Sequence, residues 1–247
     1  MKKIIYLLSV IILVSCNSEN APDCFQNSGD VITKTFEVQE FTKVTVFERI
    51  ELIVKEGPVH EVIVETGEFL MDEIDVKVEN GKLLLNNNNG CNLTRDFGIT
   101  KIYITAPNLT EIRSSTGLQT SSDGVLTYPS LLLISEDFSE AYHTDGLFRL
   151  QVNCNTLKVI VNNLSTSSIE GSVENLNIQF FSGDARFEGR NLIAQNINIY
   201  HRGSNDITIN PQVSLTANLV GTGDVIVVNT PPIVDVQEQY TGRVIFE

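Results

Sequence analysis

The sequence predicts an all-β chain folded as a β-solenoid, and three observations predict it. A short unit recurs about six times between Leu109 and Val228, with copies starting at Leu109, Leu131, Leu157, Leu176, Ile197 and Leu215. The starts are separated by 22, 26, 19, 21 and 18 residues, the length of one strand-turn-strand unit in a stacked repeat architecture. Within each copy apolar and polar residues alternate: Leu176, Ile178 and Phe180 point inward while Asn177 and Gln179 point outward. Period-two alternation belongs to a half-buried strand. No stretch of useful length carries helical periodicity, which argues against Rossmann and TIM architectures.

The elements follow in chain order. Residues 1–15 read as a signal peptide: Lys2 and Lys3 precede the apolar run Ile4–Val14, which is too short for a permanent span. The run ends in Leu13-Val14-Ser15-Cys16, and polar residues follow at once. This ending resembles a bacterial lipobox, so Cys16 is the expected lipidation site. Acylation there, palmitate included, would give a stable anchor, because each buried CH₂ contributes about 0.8 kcal/mol. Residues 16–30 form a polar tether, and 31–247 the solenoid. Within it, 31–108 are an N-terminal, non-repetitive β section, 109–230 the repeats and 231–247 a C-terminal cap. In the N-terminal section TKTFEVQ, KVTVFE, IELIVKEG and EVIVETG alternate as strands do. Glu68–Ile74 is expected to form a turn or short helix. Asn80-Gly81 sits between two alternating runs and predicts a tight hairpin. The non-repetitive section and the tail would cover the ends of the stack, where bare strand edges invite aggregation.

Without residues 1–15, which hold Lys2 and Lys3, the chain has 17 − 2 = 15 basic and 31 acidic residues, a net charge of −16. Such a surface does not bind nucleic acid, which demands basic groups that displace counterions. It is also repelled by anionic lipid, so membrane contact is expected through the lipid anchor alone. Export exposes the remaining cysteines to an oxidising compartment. Cys24 and Cys91, both in polar loop context, are the better pair for a disulfide. Cys154, beside a repeat strand, reads as a small buried residue or a turn thiol.

The order of motifs carries a resemblance. The lipobox is followed by FTKVTVFERIELIVKEG, then NGKLLL, then IYITAPNL, then the serial turns Ser-Gly-Asp, Gly-Ser-Asn-Asp and Gly-Thr-Gly-Asp-Val and a final Thr-Gly-x-Val. Over about residues 36–246 this resembles the head GIN domain family of auto-transporter-adhesin type, a domain of unknown function in Bacteroidetes-type lipoproteins. The resemblance implies a single-stranded right-handed parallel β-helix and a cell-envelope location. It transfers no catalytic residue. The chain departs from the glycine-rich pattern at Phe138 and at 164–168, where bulges are expected.

Several residues are candidates for chemistry. Asp184, Asp206 and Asp224 recur at one place in successive repeats and would line one corner. A ladder of carboxylates could hold a hard cation or a sugar, but aspartate at a turn more often caps its own backbone. Glu136, Asp137 and Glu140, with Tyr142 and His143, form the richest polar cluster. Opposed across a groove they could cleave a glycoside; otherwise they are a solvated loop. His201 with Tyr200 and Arg202 could contact an anionic or sugar ligand, or simply end a strand. No zinc-type spacing, phosphate loop or nucleophile motif occurs, so neither a metal nor a cofactor is expected and no catalytic residue is assigned. The reading is a non-catalytic, lipid-anchored binding or adhesion module for glycans or envelope proteins, on the outer membrane with its facing undecided. A polysaccharide-active enzyme and a structural envelope component are the alternatives. A groove holding Glu136, Asp137 and His143 together would favour the enzyme; a flat polar face would favour the binding module.

Overall fold

The computed structural model describes residues 23–93, 95–138 and 142–247. Cys16, Glu140 and residues 1–15, the expected signal peptide, lie outside them. Among the described residues no helix is long and apolar enough to cross a membrane. The fold is all-β. Its strands are β1 (Val31–Phe36), β2 (Lys43–Val46), β3 (Glu51–Glu56), β4 (Glu61–Gly67), β5 (Ile74–Glu79), β6 (Lys82–Asn87), β7 (Lys101–Ala106), β8 (Glu111–Ser114) and β9 (Gln119–Leu126). Then come β10 (Ser130–Ser135), β11 (Leu147–Val161), β12 (Thr166–Phe180), β13 (Arg186–His201), β14 (Ile207–Leu219), β15 (Val225–Val227), β16 (Ile233–Glu238) and β17 (Val244–Phe246). All belong to one 17-stranded sheet that nearly closes on itself.

Two ladders make up that sheet. One runs β6–β2–β8–β10 and on through the second halves of β11 to β14 to β16, all parallel. The other runs β7–β3–β9 and through the first halves of β11 to β14 to β15 and β17, again parallel. The long strands β11 to β14 bend from one ladder into the other. Along β12 and β13 the bends coincide with shifts of register, as bulged strands turn corners. Gly171 at the bend of β12 has φ +114°, and a Cβ there would lie 2.0 Å from the Val152 carbonyl oxygen; only glycine fits.

Parallel register places like on like. Leu176 pairs with Ile197 and Ile197 with Leu215; Ile178 pairs with Ile199 and Ile199 with Ala217. All six are buried, as are Leu157, Val159 and Val161 one level earlier. Phe187, Ile207 and Val225 form the facing row. Each fully buried large apolar side chain contributes about 1.5–3 kcal/mol relative to exposure, and stacking makes these rows one continuous core.

The section expected to be a non-repetitive cover is different. β2–β3 and β6–β7 are further levels of the same parallel stack, and they are stacked out of sequence order: β6 lies outside β2, which lies against β8. Only β1, β4 and β5 depart from the pattern, pairing antiparallel. The β2–β3 level is hard to read because Arg49, not glycine, takes the left-handed position of the 47–50 turn, at φ 65°. Its guanidinium holds that turn by donating to the Asn87 carbonyl oxygen at 3.3 and 2.9 Å. The tail is likewise a further level rather than a separate cap, since β16 and β17 continue the two ladders. The Asn80-Gly81 turn joins β5 to β6 with positive φ at both residues. Glu68–Glu73 forms a short 3-10 helix that buries Leu70 and Met71.

Candidate functional site

Every passage from the first ladder to the second leaves a loop on one edge of the stack, and successive loops hydrogen-bond to each other. Asn163 donates to Ser182 O, Ser204 to Gly183 O, Thr222 to Gly203 O and Gly242 to Gly221 O. Most of these loops have four or five residues. Two are longer, 88–100 and 136–146, and in space they flank the short loops 47–50 and 115–118. Between them opens a cleft of about 540 Å³. Glu48, Arg49 and Asp145 bring charge to it, His143 brings an imidazole, and Phe97 and Leu118 bring apolar surface. Its floor is amide-rich: Asn87 Nδ2 donates to Thr100 Oγ1 at 3.1 Å and Asn89 Nδ2 to Leu70 O at 3.0 Å.

The predicted cluster is dispersed by its own partners. Glu136 is buried and paired with Arg113 at 2.7 Å, and the Arg113 guanidinium lies 4.5 Å from the centre of the Tyr142 ring. Its second oxygen accepts the Phe138 backbone N–H at 2.7 Å. Asp137 accepts from the side-chain amides of Asn162 (2.8 Å) and Asn163 (3.2 Å). His143 turns the other way and pairs with Glu48 at 2.5 Å. The three are not gathered in one groove, and the carboxylates of Glu136 and Asp137 are held in structural contacts.

The aspartate ladder is also structural. Asp184 accepts from Ser204 Oγ, Asp206 from the Asp224 backbone N–H and Asp224 from the Arg243 backbone N–H, at 2.9, 3.2 and 2.8 Å. Each carboxylate thus caps the next level. Among the described residues no group of His, Cys, Asp and Glu is arranged to hold a metal ion. His201 is not presented to a ligand at all: it is fully buried. Its register partners are Phe180 and Leu219, so the alternation puts it inside, edge-on to Phe180. Burial holds its pKa below the ordinary histidine range. Gly203 and Gly223 make room for the ring; a Cβ on Gly223 would lie 2.5 Å from its Nε2. Cys24 and Cys91 form a disulfide. Cys154 is a buried free thiol, which burial pushes up to about 11.

One feature is absent from the sequence-based expectations. Phe138, Phe181 and Tyr200 form a row along the loop edge, with ring centres 5.5 Å apart in each step. Phe138 is 62% exposed, and Phe181 and Tyr200 are half-buried. Next to Tyr200, the outward row of β12, β14 and β16 carries Gln179, Asn218 and Gln237 in register. A second outward row links Asn175, Asn196 and Ser214 side chain to side chain, at 3.4 and 2.8 Å. The row escaped sequence reading because its members lie 43 and 19 residues apart (181 − 138, 200 − 181). The available signal was the aromatic pair Phe180-Phe181 and Tyr200 at the ends of successive aligned repeats.

A family-level comparison matches residues 40–231 to the family described as "Putative auto-transporter adhesin, head GIN domain". The chain belongs to this family. Several solved structures share its fold. A "putative adhesin" from Bacteroides fragilis superposes with a TM-score of 0.79 at 21% identity, covering 90% of this chain and 99% of that one. A "putative lipid binding protein" from Parabacteroides distasonis gives 0.60 at 15% identity, covering 88% and 97%. A "putative adhesin" from Parabacteroides merdae gives 0.58 at 16% identity, covering 89% and 97%. No curated protein matches the chain.

Proposed function

We propose that this head GIN chain is a non-catalytic, lipid-anchored binding module of the cell envelope, and that it takes neutral glycans on the aromatic row Phe138–Phe181–Tyr200. The row carries the proposal. Aromatic faces are electron-rich and attract the C–H faces of sugar rings, while amides such as Gln179 and Asn218 beside Tyr200 offer both donors and acceptors to hydroxyls. The net charge of −16 repels polyanionic glycans, which leaves neutral ones. The adhesin descriptions of the family and of two structural relatives support a binding role. The structural engagement of Glu136 and Asp137 supports a non-catalytic one, and the lipobox at Cys16 supports the anchor and an outer-membrane place. The levels are read as turns of a right-handed parallel β-helix, supported by register offsets of 19 residues between β11 and β12 and of 20–21 between β12 and β13, and by the right-handed rule for parallel crossovers. The Asp184, Asp206, Asp224, His143 and His201 positions take no part in the proposed contact.

A glycan array probed with the mature domain tests this. Binding is expected without turnover, and Phe138→Ala combined with Tyr200→Ala should weaken it at least about tenfold, some 1.4 kcal/mol. Hydrolysis of a bound glycan would overturn the non-catalytic reading. Undiminished binding by the double variant would remove the site from the aromatic row, and capture of an envelope protein with no glycan bound would replace the ligand class.

A further inference from the structure

We infer that the edge of the molecule formed by residues 23–26, 91–93 and 95–97 rests on the surface of a lipid bilayer, with Phe25, Leu93 and Phe97 in its interfacial region. Leu93 and Phe97 are 70% and 76% exposed and Phe25 is 49% exposed. Three large apolar side chains left in water on two cross-linked segments mark a contact surface. The two segments are stapled. Cys24 is bonded to Cys91, the Leu93 N–H donates to Cys24 O at 3.1 Å, and Arg95 donates to Gln26 O and Cys91 O at 3.2 and 2.8 Å. The occupant follows from the chain outside the structure. Cys16 lies eight residues before Cys24 (24 − 16), so a fully extended tether spans roughly 25–30 Å. An acyl anchor on Cys16 therefore keeps this edge within about 25–30 Å of the membrane, and its exposed apolar side chains are the ones nearest the point of attachment. The inference rests on the anchored reading above, and it adds apolar protein contact to the lipid chain.

The chain has no tryptophan, so one introduced at an exposed position reports alone. The mature chain is coupled through the Cys16 thiol to a maleimide lipid in phosphatidylcholine vesicles. Cys24 and Cys91 are bonded to each other and Cys154 is buried, which leaves Cys16 to react. Phe97→Trp should shift its emission to shorter wavelength on coupling. Brominated lipid should quench it at least about threefold more than a Thr216→Trp control on β14, as for a side chain placed at the acyl boundary. Equal quenching of the two probes would overturn the inference. Because the coupling supplies the anchor, that result is separate from the anchored reading itself, which fails if Cys16→Ser leaves the cellular protein in the membrane fraction.

Discussion

His201 shows how a single position is decided by register. Its neighbours in sequence, Tyr200 and Arg202, are polar and at least partly exposed, yet the alternation of β13 makes it the inward residue between Phe180 and Leu219. Its Nδ1 accepts the Gly203 N–H at 3.3 Å, so the ring is held neutral. Burial lowers its pKa from 6.5. As the pH falls through 6.5 the unfolded chain takes up the proton before the native protein does. This histidine's contribution is therefore complete above about pH 6.5 and is lost progressively towards the lower folded value. His201→Leu removes that titration. Urea unfolding at a series of pH values should give a shallower loss of stability below pH 6.5 in the variant than in the parent; parallel curves would mean that burial does not lower the pKa of this ring.

Among the elements, the loop 88–100 depends on a bond that the repeat does not provide. The Cys24–Cys91 disulfide closes a separation of 67 residues. The chain-entropy account gives about 4 kcal/mol for a loop of this size, an upper figure where the reduced chain keeps structure. Cys24→Ser with Cys91→Ser should lower urea stability by up to that amount. It should also speed proteolysis within 88–100 while the repeat strands stay protected. Unchanged cleavage would show that the Arg95 and Asn92 hydrogen bonds suffice to hold the loop. The elements also show what was legible. The levels from β12 to β15 were readable because inward apolar residues alternate strictly and glycine and aspartate mark each loop between them. The β2–β3 level was not, because Arg49 supplies a left-handed turn by side-chain contacts rather than by lacking a Cβ. Asn163, at φ 61°, hides a corner in the same way. The cleft was illegible for a topological reason: β6 stacks outside β2, so loop 88–100 becomes the spatial neighbour of 47–50, and no local pattern records that exchange. The aromatic row was illegible because it exists only once three separate levels are stacked.

At the scale of the whole molecule, each level touches only the levels beside it, so stability varies along the stack instead of being uniform. β12 and β13 are each paired along both edges over most of their 15 and 16 residues. β1, β5, β16 and β17 are each paired with one strand only. Amide exchange should follow this order. β12 and β13 should open only with global unfolding, and the four edge strands should exchange at free energies about 2–3 kcal/mol or more below it. Hydrogen-exchange mass spectrometry resolves these segments, and uniform protection along the chain would contradict the nearest-neighbour picture. The gradient bears on function. Phe181 and Tyr200 sit at the ends of β12 and β13, the strands expected to be most rigid, so the aromatic row is held without the entropy cost of ordering a loop on binding. Phe138 alone comes from a long loop, 136–146, and its ordering against Phe181 is the step a ligand would reinforce. Exchange in residues 136–146 should therefore slow when glycan binds, while exchange in β12 and β13 stays as it was.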